Sequence, residues 1–454
     1  MIKYFGVYIF DEARSSNNHP HDHIYVRIRE TWYDFSTFDH PGGPIALNLA
    51  KDRDATALFE SHHLLVSPQR LFKLLSKYKV DSKVAKSLKT LDPNDDGGHY
   101  EWKGFEHDAF VCDLKELLYS YFSQIAKERK IGLYQATKAT PKRWLMITSL
   151  LTAFCLTLPS FLGGCWWALF ITPQLAWILV ANYWHDSLHF SLSSNWKVNA
   201  IMPYFFPIIS SPWMWYHQHV IGHHVYTNVA HKDPDIAHAP QLMREHNSIR
   251  WRKAHKTQGS WTRILLIWSI SVVFGLHILS DLKANWKLTY NNAVPYRKLS
   301  SMRIGAHVIG RVIWIACIFI WPFYVFPRWK ACVWTCYPIF SFSWSFMMNT
   351  QINHLTEECS HASNKNFLKH QVITAQNFGC QSIFCRVFSG GLNFQIEHHL
   401  FPFVNHCHLP FLAPGVKFLC KKHNIKYNET QGYFEAFQKH VTHTLEMAKD
   451  PKII

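Results

Sequence analysis

Histidine recurs in this chain at helical spacing beside stretches apolar enough to cross a bilayer, and that pairing constrains the fold more than any other feature. The clusters are His185-Asp-Ser-Leu-His189, His219-Val-Ile-Gly-His223-His224 and Gln395-Ile-Glu-His398-His399. Side chains three or four positions apart share one face of a helix. His185 and His189, His219 and His223, and Gln395 and His398 are therefore expected to point together, with His224 and His399 adjacent. Histidine near a membrane is costly unless it binds something or faces water, and imidazole suits iron, copper, nickel and zinc. One such pair alone is more often a satisfied core histidine. Three clusters on one side of a membrane point to a transition-metal site.

The apolar sequence folds most simply as helical hairpins. One runs from about 145 to 184, turning near Pro159, Gly163 and Gly164; a second runs from about 304 to 348, turning near Pro327-Arg328-Trp329-Lys330. Each arm approaches the roughly 20 residues that a bilayer core requires. Lys138, Lys142 and Arg143 precede the first arm and place that side in the cytosol. A fifth apolar segment, 264–279, is placed by parity. Clusters that build one site lie on one side, so an even number of crossings separates His224 from His398. The short segment carrying Ser269, Ser271 and His277 is expected to lie flat in the interface. The expectation is an all-α polytopic domain with four transmembrane helices.

Composition agrees with a membrane enzyme and excludes other classes. The 19 Trp, 33 Phe and 19 Tyr suit membrane interfaces. The net charge of +16 is read as basic loops facing anionic lipid; no compact Lys/Arg-rich module stands apart, so nucleic acid is not an expected partner. Eleven cysteines without a CxxC pair argue against a disulfide framework or zinc ribbon. No signal peptide is expected at the N-terminus, and the tail Asp450-Pro-Lys-Ile-Ile454 shows no retrieval signal.

Upstream, Val26-Arg27-Ile28 and Trp32-Tyr33-Asp34-Phe35 read as strand and turn, ahead of the rigid loop Asp39-His40-Pro41-Gly42-Gly43-Pro44. Two histidines on opposite walls of a pocket, His40 and His63, would fill both axial positions of a haem, whose iron then passes electrons and does not bind oxygen. His62 is the rival for the second position, and the plainer reading is a turn cap and a surface histidine. The Asp/Gly-rich stretch Asp92–Gly98 reads as a linker, and Leu114 to Ile125 as an amphipathic helix. The haem motif is closely similar to the cytochrome b5-like family; fused members carry a run resembling "DAT…F…H", whose spacing favours His63.

HDSLH, QHVIGHH and NFQIEHHLFP resemble the histidine boxes of integral-membrane fatty acid desaturases. With the haem module ahead of them, the chain from about residue 20 to 430 looks like the front-end branch, in which Gln395 in place of histidine is normal. The resemblance implies a small α+β cytochrome b5-like domain (20–90), a linker and pre-membrane helix (91–140), a membrane desaturase domain (141–430) and a tail (431–454). It implies haem b and two iron ions held by His185, His189, His219, His223, His224, His398 and His399, with a further ligand from a fourth segment. His354, in Gln351-Ile-Asn-His354, is the best candidate. Gln395 would ligate, or act through water or a hydrogen bond, and His217 is a neighbour or a spare ligand. Asp186, Asp235 and Glu397 would orient imidazoles through their second nitrogen, or are ordinary solvated acids.

The implied activity is insertion of a cis double bond between an existing one and the carboxyl end of a polyunsaturated acyl chain, of delta-5 or delta-6 type. The partners are an acyl-CoA or acyl-lipid, O2, membrane lipid and NADH-cytochrome b5 reductase. The location is the endoplasmic reticulum membrane, with haem domain and boxes cytosolic. The nearest rival is a sphingolipid long-chain-base desaturase or lipid hydroxylase. A metal transporter would carry ionisable residues inside its spans, and these arms hold few.

Overall fold

The computed structural model describes residues 23–91, 102–103, 108–205, 211–237, 241, 243–274, 284, 286–290, 293–295 and 301–451. The expected linker at 92–98 and the last part of the segment 264–279 lie outside these residues.

The alternating strand sequence closes as a hairpin. Tyr25–Ile28 pairs antiparallel with Thr31–Asp34, Tyr25 opposite Asp34, around Arg29 and Glu30 at φ 48° and 64°. Val26, Ile28 and Trp32 point inward, and helices Pro44–Ala50, Thr56–His62 and Pro68–Leu75 follow. The small core joins Val26, Ile28, Phe35, Leu47 and Ala55.

This domain is docked by apolar contact. Ile45 and Leu49 enter the main membrane-domain cluster, while Ala57 and Leu64 join a second cluster with Phe110, Leu114 and Leu118. Gly43, at φ +83°, lies against the Trp196 indole so closely that a Cβ there would sit 2.4 Å from the ring. The Arg53 guanidinium donates to the Pro295 carbonyl across the same seam.

Asp108 caps helix Ala109–Arg129 by accepting from the Phe110 and Val111 amides. Phe110, Leu114, Leu118 and Phe122, four apart, form its buried stripe against helix Leu409–Lys422. The expected amphipathic helix is thus longer than Leu114 to Ile125 and covers the histidine-bearing part of the molecule.

Two helices, Pro141–Leu162 (22 residues) and Arg303–Val325 (23 residues), are long and apolar enough to cross a membrane and are mostly unburied. At about 1.5 Å per residue each is roughly as long as a bilayer core is thick. Helix Trp166–Leu179 returns from the first and runs through a π turn, Val180–Trp184, into the first box; helix Arg328–Thr350 returns from the second. Trp166–Leu179 packs between Pro141–Leu162 and Arg328–Thr350, and Trp261–Phe274 packs on the far side of Arg328–Thr350. The hairpin tips meet in an aromatic belt. Trp166 lies 4.8 Å from Trp334 and 6.2 Å from Trp329, centroid to centroid. Lys330 sits over the Trp334 and Phe326 rings at 4.9 and 4.8 Å, so this basic turn residue is satisfied by cation–π contact.

Helix Tyr433–Met447 packs back onto the bundle. Its Tyr433 hydroxyl donates to Asn349 Oδ1 at 2.6 Å, and Phe437 and His440 contact Trp268.

Candidate metal centre

The three boxes lie on three separate short helical segments whose side chains converge. His185 opens the short helix His185–Leu188 after the π turn. The second box is itself π-helical, Tyr216–His223, where α-geometry was expected. The wider π turn aligns residues five apart, so His219 and His224 meet at 3.1 Å between their Nε2 atoms. π segments occur often at functional sites. The third box, Gln395–Leu400, is clamped by Asn377: its Oδ1 accepts from the Ile396 amide (2.9 Å) and its Nδ2 donates to Glu397 (2.8 Å).

Ligand atoms converge in two neighbouring groups. His185, His189, His219 and His398 form one, and His223, His354 and His399 the other, each with atoms within 4.8 Å of one another. His224 lies between, grouped with His398 and His399. All eight side chains are buried. Gln395 Nε2 approaches His354 Nε2 at 2.9 Å, so the glutamine faces the second group. His217 does not join: its Nδ1 donates to the Trp213 carbonyl at 2.9 Å.

The outer nitrogens show how these rings are aimed. His354 Nδ1 donates to the Thr374 carbonyl (2.9 Å), His399 Nδ1 to Gln371 Oε1 (2.9 Å), and His223 Nδ1 faces Asp233 at 3.2 Å. His398 and His399 Nε2, and both nitrogens of His189, are buried without a hydrogen-bond partner. Buried polar atoms are seldom left so, and unpaired nitrogens converging from several rings are what a metal ion satisfies. Second-nitrogen partners of this kind fix ring orientation and tautomer in metal sites.

Burial, helped by neighbouring imidazoles, holds His185, His189, His219, His224, His398 and His399 well below the usual histidine range. His354 falls to about 3 for the same reasons. These rings are therefore neutral, the form that binds metal. His223 is the exception: burial acts to lower it, but the charge and hydrogen bond of Asp233, with Asp235, outweigh burial and raise it.

Asp233 was not among the expected residues, and it, rather than Asp235, makes the close contact. Asp235 Oδ1 accepts from Gln218 at 2.8 Å and its other oxygen is 3.6 Å from His223. Glu397 does not orient an imidazole. It accepts from Tyr427 (2.8 Å) and Asn377, and burial raises it to about 7. Asp186 accepts from Arg143 at 3.1 Å.

In the N-terminal domain His40 and His63 face each other edge to face, with ring centroids 6.0 Å apart. Two imidazoles that each put a nitrogen about 2 Å from one ion stand roughly that far apart. His63 donates Nδ1–H to the Phe59 carbonyl (2.7 Å) and stacks on the Phe59 ring, leaving Nε2 its lone pair. His62 turns away, its ring 6.5 Å from Phe403 of the other domain. There it packs beside His189, His224 and His399. A small cavity of about 60 Å³ is walled by Trp177, Val180, Trp184, Phe346 and Leu392, and the first- and second-group residues His185, His219, His223 and His354 also line it.

A helical domain with converging imidazoles behind a small bis-histidine domain defines a haem-linked membrane oxidoreductase. The sequence profile described as "Fatty acid desaturase" matches residues 164–431, more than half of the chain. The chain belongs to the fatty acid desaturase family. Residues 11–82 match the profile "Cytochrome b5-like Heme/Steroid binding domain". It is 28% identical to the "Delta(5) fatty acid desaturase A" of Dictyostelium discoideum over 91% of this chain and 88% of that protein. It is 26% identical to the "Acyl-lipid (8-3)-desaturase" of Mortierella alpina, over 94% and 95%, and 26% identical to the "Delta(8)-fatty-acid desaturase 2" of Arabidopsis thaliana, over 92% and 89%. No solved structure matches. The chain is an oxidoreductase whose cofactors are haem and a di-iron centre; the converging imidazoles fit the irons, and at the haem site His63 presents its Nε2 lone pair while His40 Nδ1 accepts from the Gly42 amide at 3.0 Å.

Proposed function

We propose that this chain is a front-end acyl-lipid desaturase of delta-5 type. The observation that carries the reading is the pair of converging histidine groups with a small cavity beside them, whose Trp177, Trp184, Trp215 and Phe346 walls suit methylenes of an acyl chain placed against the metal centre. Relatives matched over more than nine-tenths of the chain are named as Delta(5) and acyl-lipid desaturases.

His185, His189, His219 and His398 hold one iron, and His223, His354 and His399 the other, with His224 between them. Gln395 tunes the second group through its amide. When bound, the irons supply the O2-dependent removal of hydrogen from an unactivated methylene, which side-chain acid–base chemistry does not achieve. His40 and His63 hold haem b as an electron carrier with no open position, reduced by NADH-cytochrome b5 reductase. The domain seam supports this route, because His62, next in sequence to His63, packs beside His189, His224 and His399.

The division into domains at 20–90, 91–140, 141–430 and 431–454 is kept; the bond from the Leu91 amide to the Asp52 carbonyl (2.7 Å) ties the end of the first unit to its core. Four crossings are proposed, since both hairpins turn at one aromatic belt, the first leads into His185 and the second ends just before His354. The proposed location is the endoplasmic reticulum membrane, with the haem domain and boxes cytosolic; the basic residues Lys138, Lys142 and Arg143 ahead of the first arm support that side.

Product analysis tests the reading. Yeast expressing the chain and fed polyunsaturated acids should gain a double bond at carbon 5, on the carboxyl side of those present, and lose it with His398→Ala. A new bond at carbon 6 would reject delta-5 action; altered long-chain bases with unchanged fatty acids would reject the substrate class.

A further inference from the structure

His406 belongs to none of the boxes, yet it is buried against one of them. Its Nε2 lies 3.0 Å from His398 Nδ1, and its Nδ1 lies 2.8 Å from the Gly390 carbonyl with Asp186 Oδ1 beside it at 3.2 Å. A carbonyl only accepts, so His406 carries its proton on Nδ1 and presents a lone pair on Nε2. His398 must then donate Nδ1–H to it, which leaves His398 Nε2 as the bare nitrogen; that atom is buried and has no hydrogen-bond partner. The chain of bonds runs in one direction only.

Asp186 anchors the far end. Its Oδ2 accepts from Arg143 Nη2 (3.1 Å) and Asn405 Nδ2 (2.9 Å). Arg143 Nη2 also donates to the Asn182 and Gly390 carbonyls at 3.1 Å each. Asp186 is fully buried and Arg143 only 8% exposed, so removing either partner would leave the other charge buried and uncompensated. The backbone is shaped for the contact. Gly390 and Gly391 have φ of +69° and +99°; a Cβ on the first would sit 2.1 Å from the Ala181 carbonyl oxygen, and on the second 2.7 Å from His406 Cβ.

We propose that His406 is a positioning residue of the metal centre: with Asp186 and Arg143 it fixes the tautomer of His398 and makes that ring a stronger donor to iron. Both nitrogens of His406 are engaged by protein, so it acts through His398 and not as a ligand. The inference rests on His398 holding iron.

The test uses the purified full-length holoprotein with iron-chelator competition and Mössbauer spectra. His406→Ala should keep its haem Soret band and bind two irons at saturation. Its affinity should fall about 10- to 100-fold, one of two iron signals should shift, and added imidazole should restore both. Asp186→Asn, which keeps the shape and removes the charge, should show a smaller loss in the same direction, and it carries the test if His406→Ala does not fold. Unchanged affinity and spectra in both variants would overturn the proposal. So would an iron missing from His406→Ala at saturation with Asp186→Asn unaltered, which would make His406 a ligand. Two irons retained in His398→Ala would instead reject the ligand assignment beneath it.

Discussion

His223 differs from its neighbours because a carboxylate stands behind it. Asp233 is fully buried, accepts from the Asn228 amide (2.8 Å) and Asp235 amide (2.9 Å), and aims its charge at His223 Nδ1. Asp233→Asn is predicted to weaken iron binding about 10- to 100-fold while leaving the haem spectrum unchanged, as metal analysis beside the Soret band would show. The box histidines were legible in the sequence because their spacing is local. Asp233, Gln371 and His406 were not, since none stands one helical turn from the ring it meets: they lie 10, 28 and 8 positions from His223, His399 and His398. Asp235 and Glu397 looked equally suited by type and lie close in sequence, but other partners take them.

Of the four expected spans, two, Pro141–Leu162 and Arg303–Val325, were readable from apolar length among the described residues. The π geometry of the second box was not, because nothing in a four-residue spacing separates an α turn from a π turn. The helix Tyr433–Met447 also escaped notice, its buried positions being partly histidine. His440 donates to the Leu355 carbonyl (3.0 Å) and His443 to the Glu245 carbonyl (3.0 Å), and burial lowers both to about 4. Their folded values lie below the unfolded value near 6.5, so acid favours the unfolded form. Their contribution is complete above pH 6.5 and declines as pH falls towards 4. Amide hydrogen exchange in this helix should therefore accelerate, relative to helix Ala109–Arg129, between those limits; a constant ratio would contradict it.

At the scale of the molecule, the haem domain is packed onto the desaturase domain and shares its cores. Gly43→Ala puts a Cβ at a positive φ and into the Trp196 ring, a change expected to cost more than about 1 kcal/mol. It should speed proteolysis at the seam and slow reoxidation of reduced haem in stopped-flow, while Trp196→Ala alongside it relieves the clash and removes most of the additional penalty. Two domains were legible in the sequence from their motifs, but their docking was not, because Ile45, Leu49, Ala57 and Leu64 read as ordinary core residues of a small domain. Metal and haem analysis of the purified protein should find one haem and two irons per chain, the irons in the histidine centre, with iron lost and haem kept in His223→Ala and His398→Ala. A single iron, or an active preparation whose histidine centre holds a different metal, would contradict it.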